Sequence, residues 1–409
     1  MTKGWQTKRL GDACRFIDYR GKTPGKTTSG LRLITAKNVK MGYIQETPME
    51  FVDPKSYDGW MTRGIPKIGD VLFTTEAPLA NVAQLDTEEK VVFAQQIIVL
   101  QPAENDLDRT FLKYLLLSDL AQRRIHEKGT GATVKGIKAS LLKSIPIEFP
   151  PLPEQHRIVG ILDEAFDGLA TATANAEMNL QNARSLFESH LQSVFTQPGK
   201  GWEEKSVGDL VADRLLAPPI DGNHGEIHPK KADFVSSGVP FIMASDLEDG
   251  RVNQRDCAFI SRKQADSLRK GFAEDGDVLL SHKGTIGRVA ILHTKHDYVM
   301  LTPQVTYYRV IAREKFLNRF LYYALQSTNF VQRMNEIAGA GSTRAYIGIL
   351  KQLELPIAFP VLAEQERLAN QLDALAAETQ RLESIYQQKL AALGELKKSL
   401  LHQAFSGGL

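Results

Sequence analysis

Residues 129–166 read GTGATVKGIKASLLKSIPIEFPPLPEQHRIVGILDEAF, and residues 339–375 read GAGSTRAYIGILKQLELPIAFPVLAEQERLANQLDAL. The two stretches align at an offset of 210. Their matching positions include Gly129/Gly339, Thr133/Thr343, Pro146/Pro356, Phe149/Phe359, Pro150/Pro360, Glu154/Glu364, Gln155/Gln365, Arg157/Arg367 and Asp163/Asp373. The chain therefore contains two similar modules, and we expect each module to engage half of a common target.

The duplication extends well beyond these two stretches. GWQTKRLGD begins at Gly4 and GWEEKSVGD at Gly201, while GDVLFTTEAPLANVA (69–83) matches GDVLLSHKGTIGRVA (276–290). The offset rises from 197 to 210, mostly before residue 240, so the second copy is the longer one. An internal pseudo-two-fold repeat with divergent loops is expected when the loops carry specificity and the scaffold carries the fold.

Each copy divides into a globule and a helical rod. Short β-branched and aromatic runs such as VLFTT and VTYYRVI predict strands, so we expect two α/β (α+β) globules of unresolved strand order. Residues 154–195 and 364–405 lack proline and are rich in Ala, Leu, Glu, Gln and Lys, which predicts two long helices. The predicted domains are therefore 1–152 and 198–361 for the globules, with helical spacers at 153–197 and 362–409.

The helical stretches have a heptad-like pattern. Steps of four and three predict seams that include Ile158, Leu162 and Leu186 in the first helix and Leu368, Leu372 and Leu396 in the second. We expect the two helices to form an antiparallel coiled coil, and about 42 residues correspond to a rod of roughly 60 Å. The alternative is two ordinary long helices, each packed on its own domain.

The bulk composition bounds the class of protein. The chain has 409 residues, a net charge of +2, 43% hydrophobic and 24% charged residues, and two cysteines. These values are typical of a soluble globular protein of two or three domains, and the N-terminal sequence lacks the apolar core of a signal peptide. We therefore expect a cytoplasmic protein. The near-neutral charge neither indicates nor excludes nucleic-acid binding.

The order of motifs resembles the specificity (S) subunit of Type I restriction-modification systems. The motifs that carry the resemblance are RGKTPGKT, GDVL followed by a glycine-containing loop, GTGATVKGI/GAGSTRAYI and, most strongly, IPIEFPPLPEQHRI/LPIAFPVLAEQERL. The likeness covers essentially the whole chain. It implies two target-recognition domains that each read half of an asymmetric, bipartite DNA sequence. It also implies helices that set the spacing and dock two methyltransferase (M) subunits, joined by restriction/translocase (R) subunits.

The resemblance further implies a subunit that has no catalytic residues and needs no cofactor or metal of its own. The complex that it serves would be a site-specific endonuclease and adenine methyltransferase. The sequence itself shows no NPPY-like methyltransferase motif, no glycine-rich cofactor fingerprint and no convincing nuclease cluster. Two alternatives remain open: an unrecognised DNA methyltransferase or nuclease, and a coiled-coil adaptor for other proteins.

Candidate DNA-binding residues in the first copy lie on polar loops. GKTPGKTT (21–28) resembles a P-loop, but the first glycine is one position late. A Lys- and Thr-rich turn could instead donate to DNA phosphates, or it could be a solvated turn. The first-copy candidates are Lys22, Lys26, Thr27, Thr28, Lys37, Asn38, Thr74, Thr75, Thr133 and Lys135.

Candidates in the second copy come from three loops. DGNHGEIHPKK contains two histidines, but it does not match HExxH and its Gly and Pro indicate a loop, so we favour DNA contacts over a metal site. SHKGTIGRVA places polar side chains on a loop after a strand, where they could reach a groove or simply form a tight turn. The second-copy candidates are Asn223, His224, Lys230, Lys231, Ser245, Ser281, His282, Lys283, Arg288, Thr343, Arg344 and Tyr346.

Overall fold

The computed structural model describes residues 4–20, 23–94, 96–131, 133–338 and 346–409. These residues form two compact units, of which the first combines Met1–Met178 with Tyr386–Leu409 and the second is Asn179–Ile385. Within the described ranges, no helix is both long and apolar enough to cross a membrane.

The first unit contains ten strands among the described residues. They are β1 Gln6–Arg9, β2 Cys14–Asp18, β3 Lys26–Thr27, β4 Leu31–Ile34, β5 Glu50–Val52, β6 Val71–Thr74, β7 Val82–Gln84, β8 Val92–Phe93, β9 Ile97–Pro102 and β10 Pro146–Phe149. Its helices are α1 Leu10–Ala13, α2 Tyr57–Trp60, α3 Arg109–Leu117, α4 Asp119–Lys128, α5 Ala139–Lys143 and the start of α6 Leu152–Thr196. The strands form sheets of order β2-β9-β6-β7 and β3-β5-β4-β8, with β1 paired to β10.

The second unit repeats this plan with insertions. Its strands are β11 Glu203–Ser206, β12 Ile220–Asp221, β13 Phe234–Val235, β14 Val239–Ile242, β15 Leu247–Glu248, β16 Arg251–Val252, β17 Ala258–Ile260, β18 Phe272–Ala273, β19 Val278–Ser281, β20 Val289–Ile291, β21 Val299–Leu301, β22 Val305–Tyr308 and β23 Pro356–Phe359. Its helices are α7 Val207–Ala212, α8 Arg262–Ser267, α9 Asn318–Ala324, α10 Thr328–Ala338, α11 Ile349–Gln352 and the start of α12 Leu362–Ser406.

Strand registers confirm that the two globules share one α/β scaffold. The sheet β12-β22-β19-β20 of the second unit corresponds to β2-β9-β6-β7 of the first, and β13-β17-β14-β21 corresponds to β3-β5-β4-β8. Gln6 faces Phe149 in the first unit, and Glu203 faces Phe359 in the second. The second unit extends the first of these sheets with β16 and β15, and the second sheet with β18. In the first unit the counterpart of β15 and β16 is the isolated bridge between Val39 and Ile44.

The central strand of each main sheet is buried on both faces. Val71 and Phe73 of β6 contribute to one apolar cluster with α3, while Leu72 between them contributes to another cluster on the opposite face. The second unit repeats the pattern in β19. Val278 and Leu280 contribute to one apolar cluster, and Leu279 contributes to another cluster on the opposite face. Side chains alternate across a strand, so the continuous apolar runs that predicted these strands fill two cores at once.

The two long helices extend slightly beyond their predicted limits. Each has 45 residues, a length of roughly 68 Å at 1.5 Å per residue. Within the first unit the start of α6 packs against the end of α12, because Ile158 and Phe405 share one core and the Arg157 guanidinium donates to the Leu409 carbonyl at 3.1 Å. Within the second unit the end of α6 packs against the start of α12, where Phe195 and Leu372 share a core. In both units the two helices therefore run in opposite directions.

Burial along the helices corrects the predicted seam. Ile158, Leu162, Leu368 and Leu372 are buried as expected. Leu186 and Leu396, assigned to the same heptad frame, are 59% and 48% exposed. The frame was therefore wrong at these two positions, because a straight helix of 3.6 residues per turn drifts away from a strict seven-residue repeat.

Candidate DNA interface

A buried glutamine fixes the start of each long helix to its globule. Gln155 is fully buried; its side-chain amide donates to the carbonyls of Asp106 and Pro150 at 2.8 and 2.7 Å, and its oxygen accepts from the Asp108 N–H at 2.8 Å. Gln365 repeats this arrangement with Lys315, Pro360 and Leu317. The shared glutamine of the two Glu-Gln motifs is therefore a structural clamp, since a buried amide is stable only with its hydrogen bonds satisfied.

A second matched pair joins each helix to the globule about two turns further on. The Tyr114 hydroxyl donates to the Asp163 carboxylate, and the Tyr323 hydroxyl donates to Asp373 at 2.7 Å. Burial, together with the neighbouring carboxylate, raises the pKa of both tyrosines. The second unit adds an ion pair from Arg319 to Asp373. These contacts hold each rod in a fixed direction relative to its own globule.

The first unit has an open cleft of about 430 Å³ where three loops meet. We call it the first cleft; its lining residues are Arg20, Thr75, Glu76, Gln96, Thr130, Val134, Gly136, Ile137 and Lys138. The Thr75 N–H donates to the Gln96 carbonyl at 2.8 Å, and the Ile137 N–H donates to the Thr75 carbonyl at 2.9 Å. The loop after β6, the residue before β9 and the segment before α5 are thereby joined through their backbones.

The second unit has an open cleft of about 580 Å³ beside the corresponding loops. We call it the second cleft; it is lined by His224, Gly225, His228, Pro229, Lys230, Lys231, Phe234, Phe241, Met243, Lys283, Thr302, Pro303 and Gln304. The His282 N–H donates to the Gln304 carbonyl at 2.9 Å, and the Ile347 N–H donates to the His282 carbonyl at 3.0 Å. These two bonds reproduce the backbone frame of the first cleft.

The frames match, whereas the side chains that they present differ in charge. Glu76 and Gly136 form an isolated antiparallel bridge in the first unit, and Lys283 and Tyr346 form the equivalent bridge in the second. All four positions are at least partly exposed. The Lys283 ammonium lies 5.7 Å from the centre of the Tyr346 ring, within the range of a cation–π contact. We call Glu76 the tip of the first cleft and Lys283 the tip of the second cleft. The first tip is anionic and the second is cationic.

An aspartate at the end of the edge strand orients a basic side chain in each unit. Strand register equates Asp18, opposite Ile98, with Asp221, opposite Thr306. Asp18 accepts from the Arg20 guanidinium at 2.6 and 2.8 Å, and buried Asp221 binds the His224 ring at 2.6 Å and the Lys270 ammonium. Burial alone would raise the pKa of both carboxyls, but these hydrogen bonds and cations outweigh it and hold each pKa below its usual value.

Six sequence candidates lie inside the protein. The buried side chains are Asn38, Thr74, Thr75, Asn223, Ser281 and His282. Their hydrogen bonds serve the loops: Asn223 donates to the Lys270 carbonyl at 2.6 Å, and the Ser281 hydroxyl accepts from the Arg288 N–H at 2.9 Å. Burial lowers the pKa of His282, which favours the neutral ring. In this conformation these six side chains shape the loops, and their placement argues against direct contact with DNA.

The remaining described candidates are exposed. They are Lys26, Thr27, Thr28, Lys37, Thr133, Lys135, His224, Lys230, Lys231, Ser245, Lys283, Arg288 and Tyr346. The structure brings His224, Lys230, Lys231 and Lys283 together in the second cleft. Lys26 lies instead on β3, where its ammonium pairs with Glu50 at 2.7 Å. The predicted contacts of Lys22, Thr343 and Arg344 lie outside the described residues.

Two motifs adopt structures unlike their namesakes. Lys26 and Thr27 of the P-loop-like sequence belong to a strand paired with β5, not to a loop that opens a helix. In the histidine-containing loop, His224 binds Asp221 while His228 packs on Phe241, with ring centres 5.6 Å apart. Among the described residues, no group of three or more His, Cys, Asp or Glu is arranged to hold a metal ion.

Sequence reasoning missed several lining residues of the clefts. Arg20 and Gln96 line the first cleft, and Gln304 and Phe241 line the second. The equivalence of Asp18 and Asp221 was hidden because their offset, 203, falls inside the region of insertions. The matched GDVL motifs did contain one usable signal, since aligning them places Glu76 opposite Lys283.

Comparison with protein families gives a match over most of the chain. The family model of the Type I restriction modification DNA specificity domain matches residues 2–179 and again 199–391. The chain is similar to the Type I restriction enzyme MjaVIII specificity subunit of Methanocaldococcus jannaschii, with 21% identity over all of this chain and 93% of that protein. It is also 22% identical to the Type I restriction enzyme EcoKI specificity subunit of Escherichia coli K12, over 93% of this chain and 82% of that one.

Solved structures show the same fold. A chain from a study of complex assembly and conformational transition of the type I R-M system aligns with a TM-score of 0.75 at 21% identity, covering 100% of this chain and 99% of its own. The HsdS subunit from Thermoanaerobacter tengcongensis aligns with a TM-score of 0.59 at 20% identity, covering 100% and 98%.

Proposed function

Because the chain belongs to the Type I restriction modification DNA specificity family, we propose that it reads a bipartite, asymmetric DNA sequence with its two globules and docks methyltransferase subunits through its helices. The observation that carries the proposal is the contrast between matched helix attachments and unlike cleft tips. Matched helix attachments suit two identical partner subunits, and unlike cleft tips suit an asymmetric DNA sequence.

The proposed division of labour follows the sequence boundaries. Residues 1–152 and 198–361 would be the target-recognition domains, and 153–197 and 362–409 the helical spacers. Exposed Lys135 and Lys138 in the first domain and Lys230 and Lys231 in the second would contact phosphates, which fix the position of a protein on the duplex. Exposed side chains at the cleft tips would face base edges, where sequence is read.

Partners would supply the chemistry in this proposal. The chain itself would be non-catalytic and cofactor-free, with methyltransferase subunits modifying adenines and restriction subunits cleaving DNA, all in the cytoplasm. The purified chain should show no turnover with DNA and either S-adenosylmethionine or magnesium. Turnover by the chain alone would instead establish an enzyme.

A domain exchange tests the recognition function. Residues 1–152 are replaced by the corresponding domain of another specificity subunit, the protein is expressed with its methyltransferase partner, and methylated adenines are mapped by sequencing. We expect one half of the recognised sequence to change while the other half stays constant. Salt-independent or absent DNA binding by the complete assembly would favour a protein adaptor instead, because phosphate contacts make binding fall steeply with salt.

A helix insertion tests the spacer function. Adding one turn to both long helices would lengthen each by about 5.4 Å. The unread gap between the half-sites should then widen by one or two base pairs, at roughly 3.4 Å per pair. An unchanged gap in a folded protein would show that the helices do not set the spacing.

A further inference from the structure

The residue just before each cleft tip is held in the same way in both units. Backbone hydrogen bonds of 2.8–3.0 Å fix Thr75 in the first unit and His282 in the second, each between the same two neighbouring segments. The next residue is Glu76 in one unit and Lys283 in the other, and both bridge to the segment that precedes the short helix before the rod. A position on such a braced backbone can present a side chain in a defined direction, which direct reading of a base edge requires.

The partner across each bridge suits the side chain it faces. At Gly136 an added Cβ would lie 3.3 Å from the Glu76 Cβ and 3.4 Å from a carboxylate oxygen, so the glycine leaves room for Glu76. In the second unit Tyr346, 46% exposed, lies beside Lys283 and can steady the ammonium through its ring. Each unit therefore has its own matched pair on a shared frame.

The opposite charges argue against phosphate binding as a role that both positions share. A lysine at this position could bind a phosphate, but a glutamate at the equivalent position would be repelled by one. Glutamate does accept from the N4 amino group of cytosine, and lysine does donate to O6 and N7 of guanine. Base reading is the role that both side chains can fill from the same place.

We propose that Glu76 and Lys283 are equivalent specificity-determining residues, with Glu76 reading a cytosine in one half-site and Lys283 reading a guanine in the other. The inference rests on the proposed function, because it names residues that would carry the sequence preference of each domain. It adds that a single structural position sets one base of each half-site.

The test uses the full chain expressed with its methyltransferase partner in cells that lack other adenine methylation. Methylated sites are mapped by sequencing for the wild type and for Glu76→Ala, Lys283→Ala, Glu76→Lys and Lys283→Glu. We expect each alanine variant to relax one base position in its own half-site, with a loss of discrimination on the order of tenfold to hundredfold. The charge reversals should exchange cytosine and guanine preferences at those positions.

Two matched variants control for charge and folding. Glu88→Ala and Lys295→Ala remove exposed charges in the loops after β7 and β20, at the far ends of those strands from the cleft tips, and should leave the sequence unchanged. The conservative Lys283→Arg should keep the guanine preference, since arginine reads the same base edge. If Lys283→Ala is inactive through misfolding, Lys283→Arg and Lys283→Glu still show whether the side chain at this position sets the guanine preference.

The possible outcomes distinguish a failure of this inference from a failure of the proposed function. Uniformly weaker methylation with an unchanged sequence would identify Lys283 as a phosphate contact and overturn the inference alone. If Glu76→Ala left the methylated DNA sequence unchanged, this result would also overturn the inference alone. A wild-type protein that directs methylation to no bipartite sequence would overturn the proposed function and the inference with it.

Discussion

The attachments of the two long helices and the tips of the two clefts lie on the same duplicated scaffold, yet they have diverged to very different degrees. At the attachments, Gln155 and Gln365 make the same three hydrogen bonds. At the tips, Glu76 and Lys283 carry opposite charges on equivalent backbones. A buried amide tolerates few replacements because each lost partner leaves an unsatisfied group, whereas an exposed loop side chain can change freely.

The sharpest test of the attachments is to remove the buried amides. Gln155→Leu should lower the free energy of unfolding of the first unit by roughly 2–5 kcal/mol, because two carbonyls and one N–H lose their partners in the interior. Gln365→Leu should cost the second unit a similar amount. Urea unfolding followed by circular dichroism measures both. Exposed Gln181→Leu on α6 is the control and should change stability by less than about 0.5 kcal/mol. Strongly unequal losses would contradict the equivalence of the two attachments.

The aspartates beside the clefts should respond unequally to substitution. Asp221 has a side chain only 3% exposed and binds two basic groups, whereas Asp18 is 28% exposed and binds Arg20. At pH 7 Asp221→Asn should cost about 2 kcal/mol by leaving these buried contacts incomplete, and Asp18→Asn about 1 kcal/mol or less. Asp86→Asn, at an exposed position, serves as the control.

The same aspartates give a pH dependence of defined sign. Each folded-state pKa is below the ordinary value, so the stabilisation is present above about pH 3.9, where an unfolded Asp titrates, and is lost as the pH falls through the folded-state pKa. The difference between wild type and Asp221→Asn should therefore shrink from pH 7 to pH 3 in urea unfolding. A difference that stays constant over this range would show that the ionised carboxylate is not the source.

Removing the helix-attaching tyrosine hydroxyls should have a smaller and asymmetric effect. Tyr114→Phe removes the hydroxyl that binds Asp163, at a cost of about 1–2 kcal/mol for a hydrogen bond to a charged group. Tyr323→Phe should cost less, because Asp373 keeps its ion pair with Arg319. Thermal unfolding compares the two variants, with exposed Tyr43→Phe as the control. A larger loss for Tyr323→Phe would mean that Arg319 does not compensate.

The lysines beside the clefts should have the smallest effect per side chain. Replacing Lys230 and Lys231 with alanine should weaken DNA binding about equally for all sequences and reduce the slope of log K against log salt by about 1 per lysine. Lys135 and Lys138 of the first domain should behave alike. Binding of the assembled complex at several salt concentrations measures the slopes, with Lys295→Ala as the reference. A change of sequence preference would instead assign these lysines to base reading.

The sequence by itself determined the duplication, the α/β class of both globules and the two long helices, whose observed limits lie within two residues of the predicted ones. These features follow from local composition and from identities that recur at offsets between 197 and 210. The placement of Ser281 and His282 shows the limit, because a polar residue after a strand can face either the solvent or the interior. Only packing decides between the two.

Only the tertiary structure decided which residues meet. It equated Asp18 with Asp221 across a region of insertions, brought Lys283 beside His224, Lys230 and Lys231, and exposed Leu186 on a face that the heptad frame had buried. Strand register and helix packing depend on contacts between segments far apart in the chain. A one-dimensional pattern therefore specifies the elements and their repetition, while the surface that each copy presents emerges only when those elements pack.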